Sequence, residues 1–147
     1  MGADRSAIFA ERWASYSAWA SRDGLQAGCE PRLAEPDVDV AYRGTVVLMH
    51  GFSACSQQYE DFVGLLSASG YRTVLAVLPG HGRPYPAVDK DNPNAQPDAG
   101  SWRDVYTAFA GQINGLMEYA DGDRVIGGLS GGGTASLWLN LQAPELY

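Results

Sequence analysis

Positive charge is scarce in this sequence. Its 147 residues include 17 Asp and Glu against 10 Lys and Arg, which gives a net charge of −7, and Lys90 is the one lysine. The basic residues are scattered singly, so they form no patch that could neutralise a phosphate backbone. The composition therefore predicts a protein that does not bind nucleic acid.

Long apolar runs are also missing. No window of the sequence approaches the ~20 consecutive apolar residues that a membrane-spanning helix needs. The first twenty residues contain four charged side chains and lack the continuous apolar segment of a signal peptide. We therefore expect no integral membrane segment, and the sequence favours a cytoplasmic location.

Cysteine is infrequent, with Cys29 and Cys55 as the two present. Two cysteines cannot form the disulfide framework of a small secreted domain, and no CxxC pair or Cys/His cluster offers metal ligands. Two isolated thiols are the favoured interpretation, with a single bond between Cys29 and Cys55 as the alternative. We predict no metal site and no cofactor.

The chain has the composition of a globular domain, with 46% apolar and 18% charged residues. Residues 4–22 predict a helix with one apolar face, which we expect to pack on its own domain. The residues of this face, at spacings of three and four, are Phe9, Trp13, Tyr16 and Ala20. Residues 23–36, which contain several Gly and Pro, are predicted to be a connector.

The rest of the chain alternates between strand and helix patterns. An alternating segment over residues 38–42 predicts a half-exposed strand. Three short apolar runs then predict buried strands, each followed by a helix with an apolar face. The strands are expected at residues 45–49, 72–78 and 124–129, and the helices at residues 56–69, 102–120 and 131–142. This order predicts right-handed crossovers and a parallel sheet, hence an α/β fold.

A long segment separates the second buried strand from its helix. Residues 81–100 contain four prolines and no strand or helix pattern. A loop of this length inside a compact domain is uncommon and often functional. Ser101 follows it as the predicted N-cap of the next helix.

The sequence Gly128-Leu-Ser130-Gly-Gly132 matches the pattern G-x-S-x-G. Its serine falls between a predicted buried strand and a predicted helix, which is the context of a nucleophile elbow. A sharp turn there exposes the serine oxygen, and Gly128 and Gly132 allow the strand and helix to approach closely. The pattern therefore predicts Ser130 as a catalytic nucleophile beside a helix N-terminus, which favours developing negative charge.

A second motif, His50-Gly51-Phe52, directly follows the first buried strand. Acyl hydrolases place one donor of the oxyanion hole at this point, and a tetrahedral intermediate needs two N–H groups aimed at its oxygen. We predict that these donors are the backbone N–H groups of Phe52 and of Gly131, the residue after the serine.

Three segments together resemble the α/β-hydrolase superfamily. They are residues 45–53 (TVVLMHGFS), 77–82 (VLPGHG) and 127–133 (GGLSGGG), in the family's order. They are most similar to the branch of serine carboxylesterases, monoacylglycerol lipases and serine-aminopeptidase-like hydrolases. The resemblance covers about residues 38–147. It implies a parallel-sheet α/β-hydrolase fold and a small-molecule ester or acyl substrate.

The resemblance also implies a catalytic triad in the order Ser, then Asp or Glu, then His. After Ser130 the chain has Glu145 as its single acid and no histidine. His50 and His81 precede the serine and match loop motifs whose role in the family is structural. The acid and the base of the triad are therefore expected to be missing from this chain, which alone should be inactive.

We interpret residues 37–147 as the N-terminal half of a hydrolase domain, truncated after the elbow helix, and residues 1–36 as an N-terminal helix and connector. A non-catalytic hydrolase-fold binding module, or an inactive fragment, is the alternative. A nucleotide-binding loop fits less well, because Gly131, Gly133 and Ser136 only approximate G-x-G-x-x-G and no P-loop lysine follows. The sequence does not determine the substrate or the oligomeric state.

Overall fold

The computed structural model describes residues 4–84 and 102–147. The α-helices of these residues are α1 (Arg5–Ser21), α2 (Glu60–Ala68), α3 (Trp102–Met117) and α4 (Gly131–Gln142). The strands are β1 (Arg32–Ala34), β2 (Gly44–Met49), β3 (Tyr71–Ala76) and β4 (Asp123–Gly128). Short 3₁₀ helices span Ser56–Tyr59 and Pro144–Leu146. Most of the predicted loop at residues 81–100 and the predicted cap Ser101 lie outside the described residues.

The strands form one sheet in the order β1, β3, β2, β4. β2 is parallel to both of its neighbours, with Val47 opposite Val74 of β3 on one side and opposite Ile126 of β4 on the other. β1 runs antiparallel to β3. The apolar, β-branched run of β2 is almost entirely buried, as is typical of the inner strand of a parallel sheet. The predicted parallel α/β sheet is confirmed.

A large apolar core lies on one face of this sheet. Alternate residues of a strand point to the same face, and Val47 and Met49 of β2 join Val74 and Ala76 of β3 there. Helices α1, α3 and α4 cover these side chains. The helix residues in the core include Phe9, Tyr16, Phe109, Ile113, Leu116, Ala135 and Leu139. Burial of each large side chain contributes ~1.5–3 kcal/mol, so this core holds β2 and α4 firmly in place.

Helix α1 packs on this core through the aromatic face predicted from the sequence. Asp4 caps the helix by accepting a hydrogen bond from the Ser6 N–H at 3.0 Å. Phe9 and Tyr16 are buried, and the Tyr16 hydroxyl accepts a hydrogen bond from the Val77 N–H at 2.9 Å. Burial raises the pKa of Tyr16. No helix in the described residues, α1 included, is long and apolar enough to cross a membrane.

The half-exposed strand predicted at residues 38–42 is wrong. These residues begin with a turn and contain no strand, and the Val38 side chain is 100% exposed. The Asp37 N–H donates to the Ser67 carbonyl at 3.2 Å, and the Val40 N–H turns back to the Asp37 carbonyl at 3.0 Å. Three alternating apolar residues beside a turn-forming aspartate are too few to specify a strand.

The strand that completes this side of the sheet is β1, which lies inside the predicted connector. It has three residues, too few for a recognisable period, and its pairing with β3 defines it. Ion pairs hold the edge. Arg32 of β1 contacts Glu60 of α2, and Arg72 of β3 donates to both carboxylate oxygens of Glu35 at 3.0 Å.

β3 ends at Ala76, although the apolar run of the sequence continues to Leu78. The Val77 N–H donates to the Tyr16 hydroxyl, and the Leu78 N–H donates to the ring of His50. Because both N–H groups bond to side chains, they leave the strand ladder. Tertiary contacts therefore set this strand boundary.

The predicted helix at residues 56–69 begins as a 3₁₀ turn and becomes α-helical at Glu60. Phe62 and Val63 both belong to the apolar residues of this helix in the sequence, but the Phe62 side chain is 54% exposed, whereas Val63 is buried. Helix α3 ends at Met117, before the predicted end at residue 120. After the helix, the N–H groups of Tyr119 and Ala120 bond three residues back instead of four, which tightens the chain into a turn.

A disulfide joins Cys29 and Cys55, so the favoured interpretation as two isolated thiols is wrong. The connector folds back over the loop that follows β2, where the Ser56 hydroxyl donates to the Glu30 carbonyl at 2.7 Å. This packing brings the two Cα atoms to 5.3 Å across a separation of 26 residues. Both cysteines are buried. The sequence carries no local sign of a contact between segments so far apart.

Candidate active site

The loop after β2 and the turn after β4 meet at one edge of the sheet. The two strands are parallel, with Met49 opposite Gly128, so their carboxyl ends point the same way. The Leu129 N–H extends the pairing by donating to the Met49 carbonyl at 3.2 Å. A Cβ built on Gly51 would lie 3.7 Å from the Ser130 Cβ. The predicted nucleophile and the predicted oxyanion loop are therefore neighbours.

Ser130 has a backbone conformation that non-glycine residues seldom adopt. Its φ is 53° and its ψ is −118°, and no other non-glycine residue of the described chain has a positive φ. The turn is closed by the Gly132 N–H, which donates to the Leu129 carbonyl at 2.9 Å. Such a conformation costs ~1–3 kcal/mol and persists where the surrounding structure holds it. The serine side chain is exposed at the tip of this turn.

Gly128 and Gly132 lie where strand, turn and helix come closest together. A Cβ built on Gly132 would lie 2.6 Å from the His50 carbonyl oxygen, and one built on Gly128 would lie 2.7 Å from the Met49 carbonyl oxygen. Both distances are below any normal contact, and the obstructing atoms belong to the backbone. Only glycine fits at these two positions.

Phe52 lies directly against the start of helix α4. A Cβ built on Gly131 would be 2.6 Å from the Phe52 Cδ2, and the Phe52 side chain is 64% exposed. Neither the Phe52 N–H nor the Gly131 N–H donates a hydrogen bond to another described residue. Gly131 begins α4, where the first N–H groups have no partner within the helix. The residues that carry the two predicted donors are thus neighbours, and neither of their N–H groups is engaged by a described residue.

The peptide that carries the Phe52 N–H is held by its carbonyl oxygen. This oxygen belongs to Gly51, and it accepts hydrogen bonds from the His50 Nδ1–H at 2.8 Å and from the Ala54 N–H at 3.1 Å. A peptide unit is planar and almost always trans, so fixing the carbonyl also fixes the N–H on its opposite side. His50 therefore orients the Phe52 N–H.

His50 has no nitrogen free for proton transfer. Its Nε2 accepts a hydrogen bond from the Leu78 N–H at 3.0 Å, so the proton lies on Nδ1, which donates to Gly51. The ring is fully buried, and burial lowers its pKa to about 4. His50 is therefore neutral near pH 7 and serves as a bridge between the end of β3 and the loop after β2.

His81 lies next to this bridge. Its ring centroid is 5.2 Å from that of His50 and 5.5 Å from that of Phe52. The Nδ1–H donates to the Pro79 carbonyl at 3.0 Å, while the buried Nε2 has no hydrogen-bond partner among the described residues. No side chain of residues 4–84 or 102–147 forms a hydrogen bond with the Ser130 hydroxyl.

Two features of the site carry no signal in the sequence. The first is Gln58, whose Oε1 accepts a hydrogen bond from the Gly51 N–H at 2.8 Å. The second is the disulfide of Cys55, which anchors the short 3₁₀ helix that carries Gln58. Within the described residues, no group of three or more His, Cys, Asp or Glu could hold a metal ion.

The site lies within the part of the chain that matches a protein-family model. The model of the alpha/beta hydrolase family matches residues 46–144, which are 99 of the 147 residues. A comparison with curated proteins gave no match. The matched segment runs from β2 through the turn at Ser130 to the end of α4. The chain therefore belongs to the alpha/beta hydrolase family.

Proposed function

We propose that this protein is a serine hydrolase that acts on carboxylic esters or related acyl substrates, with Ser130 as its nucleophile. The observation that carries the proposal is the conformation of Ser130. Ser130 has a positive φ and an exposed side chain in the turn between β4 and α4, next to Gly131 and close to the loop of Phe52, and the N–H groups of these two residues bond to no described residue. Strained non-glycine residues of this kind cluster at active sites.

In this proposal the Ser130 Oγ attacks the carbonyl carbon of the substrate, and the hydroxyl proton passes to a general base. The carbonyl oxygen becomes an oxyanion, which the N–H groups of Phe52 and Gly131 stabilise. The intermediate collapses to an acyl-enzyme as the alcohol leaves with a proton. Water then attacks the acyl carbon, releases the acid and restores Ser130.

The general base comes from outside this chain in our proposal. The His50 ring is occupied at both nitrogens, and the residues after Ser130 include no histidine. The family resemblance favours an acid and a histidine on later strands of a longer protein. Residues 37–147 would then form the N-terminal half of the hydrolase domain, with α1 and β1 packed on the same core and sheet.

The exposed ring of Phe52 supports an acyl substrate. It is 64% exposed beside the proposed oxyanion hole and offers an apolar surface to an acyl chain or to the leaving alcohol. The esterase or lipase type, and the branch of carboxylesterases, monoacylglycerol lipases and serine-aminopeptidase-like hydrolases, remain part of this proposal. A small-molecule substrate is the partner we expect.

A second candidate is a hydrolase-fold module that binds a ligand without catalysis. It is favoured by one observation, the absence of any described side chain bonded to the Ser130 hydroxyl. The open reading frame beyond Tyr147 separates the two candidates. An Asp and then a His, each after a predicted strand, support the enzyme, and a stop codon supports the binding module or an inactive fragment.

The disulfide bears on where the protein functions. Buried disulfides are typical of oxidising compartments and uncommon in the cytoplasm of mesophiles. The bond between Cys29 and Cys55 therefore argues against the cytoplasmic location expected from the sequence. The cytoplasmic location stays a prediction.

A fluorophosphonate probe tests the proposed function in the product of the complete open reading frame, called the complete protein below. We expect labelling of the peptide that contains Ser130, located by mass spectrometry, and loss of labelling in Ser130→Ala. Ser53→Ala is the matched control, because Ser53 is an exposed serine in the neighbouring loop. Labelling that persists in Ser130→Ala would contradict the assignment.

A further inference from the structure

We propose that Gln58 is a positioning residue for the oxyanion hole, which it orients through the Gly51 N–H. The inference rests on the proposed function, because it assigns a role to a side chain that supports the proposed donor Phe52. The central observation is the hydrogen bond of 2.8 Å from the Gly51 N–H to the Gln58 Oε1.

Gly51 lies between two peptide units, and each unit is held by a different side chain. The unit after Gly51 is held at its carbonyl by His50 and Ala54. The unit before Gly51 is held at its N–H by Gln58. Glycine can rotate about both backbone bonds more freely than any other residue. The contact of Gln58 therefore adds to the hold of the carbonyl contacts on the direction of the Phe52 N–H, because it limits rotation at Gly51.

The two partners of this hydrogen bond differ in burial, and this difference favours a positioning role for Gln58. Gly51 is buried, whereas Gln58 is exposed. A buried N–H without an acceptor is costly, so the exposed side chain is held over the loop by the bond it accepts. Because Gln58 fills no core space, its replacement should leave the fold intact and change the loop.

The backbone beneath Gln58 is itself firmly anchored. The 3₁₀ helix Ser56–Tyr59 starts after Cys55, which is bonded to Cys29. The Ser56 hydroxyl donates to the Glu30 carbonyl at 2.7 Å, and the Tyr59 hydroxyl donates to the Met49 carbonyl at 3.3 Å. The short 3₁₀ helix that carries Gln58 is thus bonded both to the connector and to β2, and this holds the Gln58 amide next to Gly51.

Gln58→Met tests the inference in the complete protein, because methionine has nearly the same size and no amide oxygen. We expect its rate of fluorophosphonate labelling at Ser130 and its kcat for a p-nitrophenyl ester to fall ~10-fold, with KM changed less than ~2-fold. Removal of a whole oxyanion donor costs ~10²–10³-fold, and displacement of one should cost less. A loss in kcat with KM kept indicates an interaction made in the transition state.

Gln57→Met is the matched control, because Gln57 lies on the same 3₁₀ helix and its side chain packs near Gly28, away from Gly51. Its rate of fluorophosphonate labelling at Ser130 and its kcat for the p-nitrophenyl ester should equal those of the wild type. An equal loss in both variants would overturn the inference, since it would show a general effect on the helix.

Amide hydrogen exchange gives a readout that does not depend on catalysis. The Gly51 N–H should exchange faster in Gln58→Met and keep its protection in Gln57→Met. Gln58→Glu retains an acceptor oxygen and should keep Gly51 protected, so exchange in that variant as fast as in Gln58→Met would overturn the inference. Wild-type protein that is not labelled at Ser130 would overturn the proposed function, and the positioning role with it. Labelled wild type with an unchanged Gln58→Met would overturn the positioning role alone.

Discussion

The His50 ring holds the Gly51 carbonyl oxygen through a hydrogen bond of 2.8 Å from its Nδ1–H. The same ring accepts the Leu78 N–H on its other nitrogen. One neutral imidazole therefore joins the end of β3 to the loop after β2 and sets the plane of the peptide that carries the Phe52 N–H. Protonation of His50 would turn Nε2 from an acceptor into a donor and break the bond to Leu78.

We expect the free energy of unfolding of the complete protein to fall as the pH is lowered from ~6.5 towards 4, because of His50. Burial lowers the pKa of His50 to about 4. Between these two pH values the unfolded state binds a proton that the folded state does not, so stability is lost at up to ~1.4 kcal/mol per pH unit. Urea unfolding over this range measures the slope. Since carboxylates also titrate, His50→Gln is the reference, and an identical slope in that variant would contradict the prediction.

Gly132→Ala should destabilise the complete protein by ~3 kcal/mol or more, because overpacking against rigid backbone cannot relax easily. The new Cβ would lie 2.6 Å from the His50 carbonyl oxygen. Gly115→Ala is the matched control, since a Cβ there has no neighbour within 4 Å and the site is inside helix α3. That change should raise stability by ~0.5–1 kcal/mol. Thermal unfolding measures the change in stability of both variants. Equal shifts in Tm would contradict the steric explanation.

The disulfide predicts that the complete protein has no free thiol at Cys29 or Cys55. Thiol counting with peptide mapping under denaturing, non-reducing conditions checks this directly. The bond closes a loop across 26 residues, and cross-links of this span typically contribute ~3 kcal/mol. Cys29→Ser with Cys55→Ser should therefore lower the free energy of unfolding by about that amount. Two reactive thiols in the wild type would contradict the structure at this point.

The 147-residue chain alone should not hydrolyse p-nitrophenyl esters at a typical enzymatic rate. Without a general base the Ser130 hydroxyl is a weak nucleophile near neutral pH. An oxyanion hole without a complete triad leaves only a ~10³–10⁴-fold advantage over water. Steady-state assays of the chain and of Ser130→Ala should give equal, near-background rates. Turnover by the chain that is lost in Ser130→Ala would show that the base lies within it.

The isolated chain should also self-associate through β4. This strand pairs with β2 on one side, and no described strand pairs with the other side. Val125 and Leu129 are 44% and 55% exposed near this edge. An open, apolar strand edge invites pairing with another chain, and a lysine there opposes it. Light scattering should show association that Val125→Lys reduces and that Val38→Lys, at a fully exposed turn, leaves unchanged. A monodisperse wild-type monomer would falsify this expectation.

Much of the architecture could be predicted because its signals are local. The runs that form β2, β3 and β4 are apolar and β-branched, and each is followed in the chain by a helix with an apolar face. The turn at Ser130 lies between β4 and α4, as predicted from the glycines Gly128 and Gly132 on either side of it. The catalytic role of Ser130 stays a prediction. The prediction of a strand at residues 38–42 is wrong because three alternating apolar residues specify a strand less strongly than the adjacent aspartate specifies a turn.

Which segments become the parallel strands and helices, and where the glycine-flanked serine falls, can be read from the sequence alone, since periodicity and small residues act within a few positions of the chain. The remaining contacts arise from tertiary packing. Cys29 meets Cys55, and Gln58 meets the Gly51 N–H, because the connector and the 3₁₀ helix fold over the loop after β2. Such pairings depend on how distant segments pack, and no residue pattern within either segment specifies its partner.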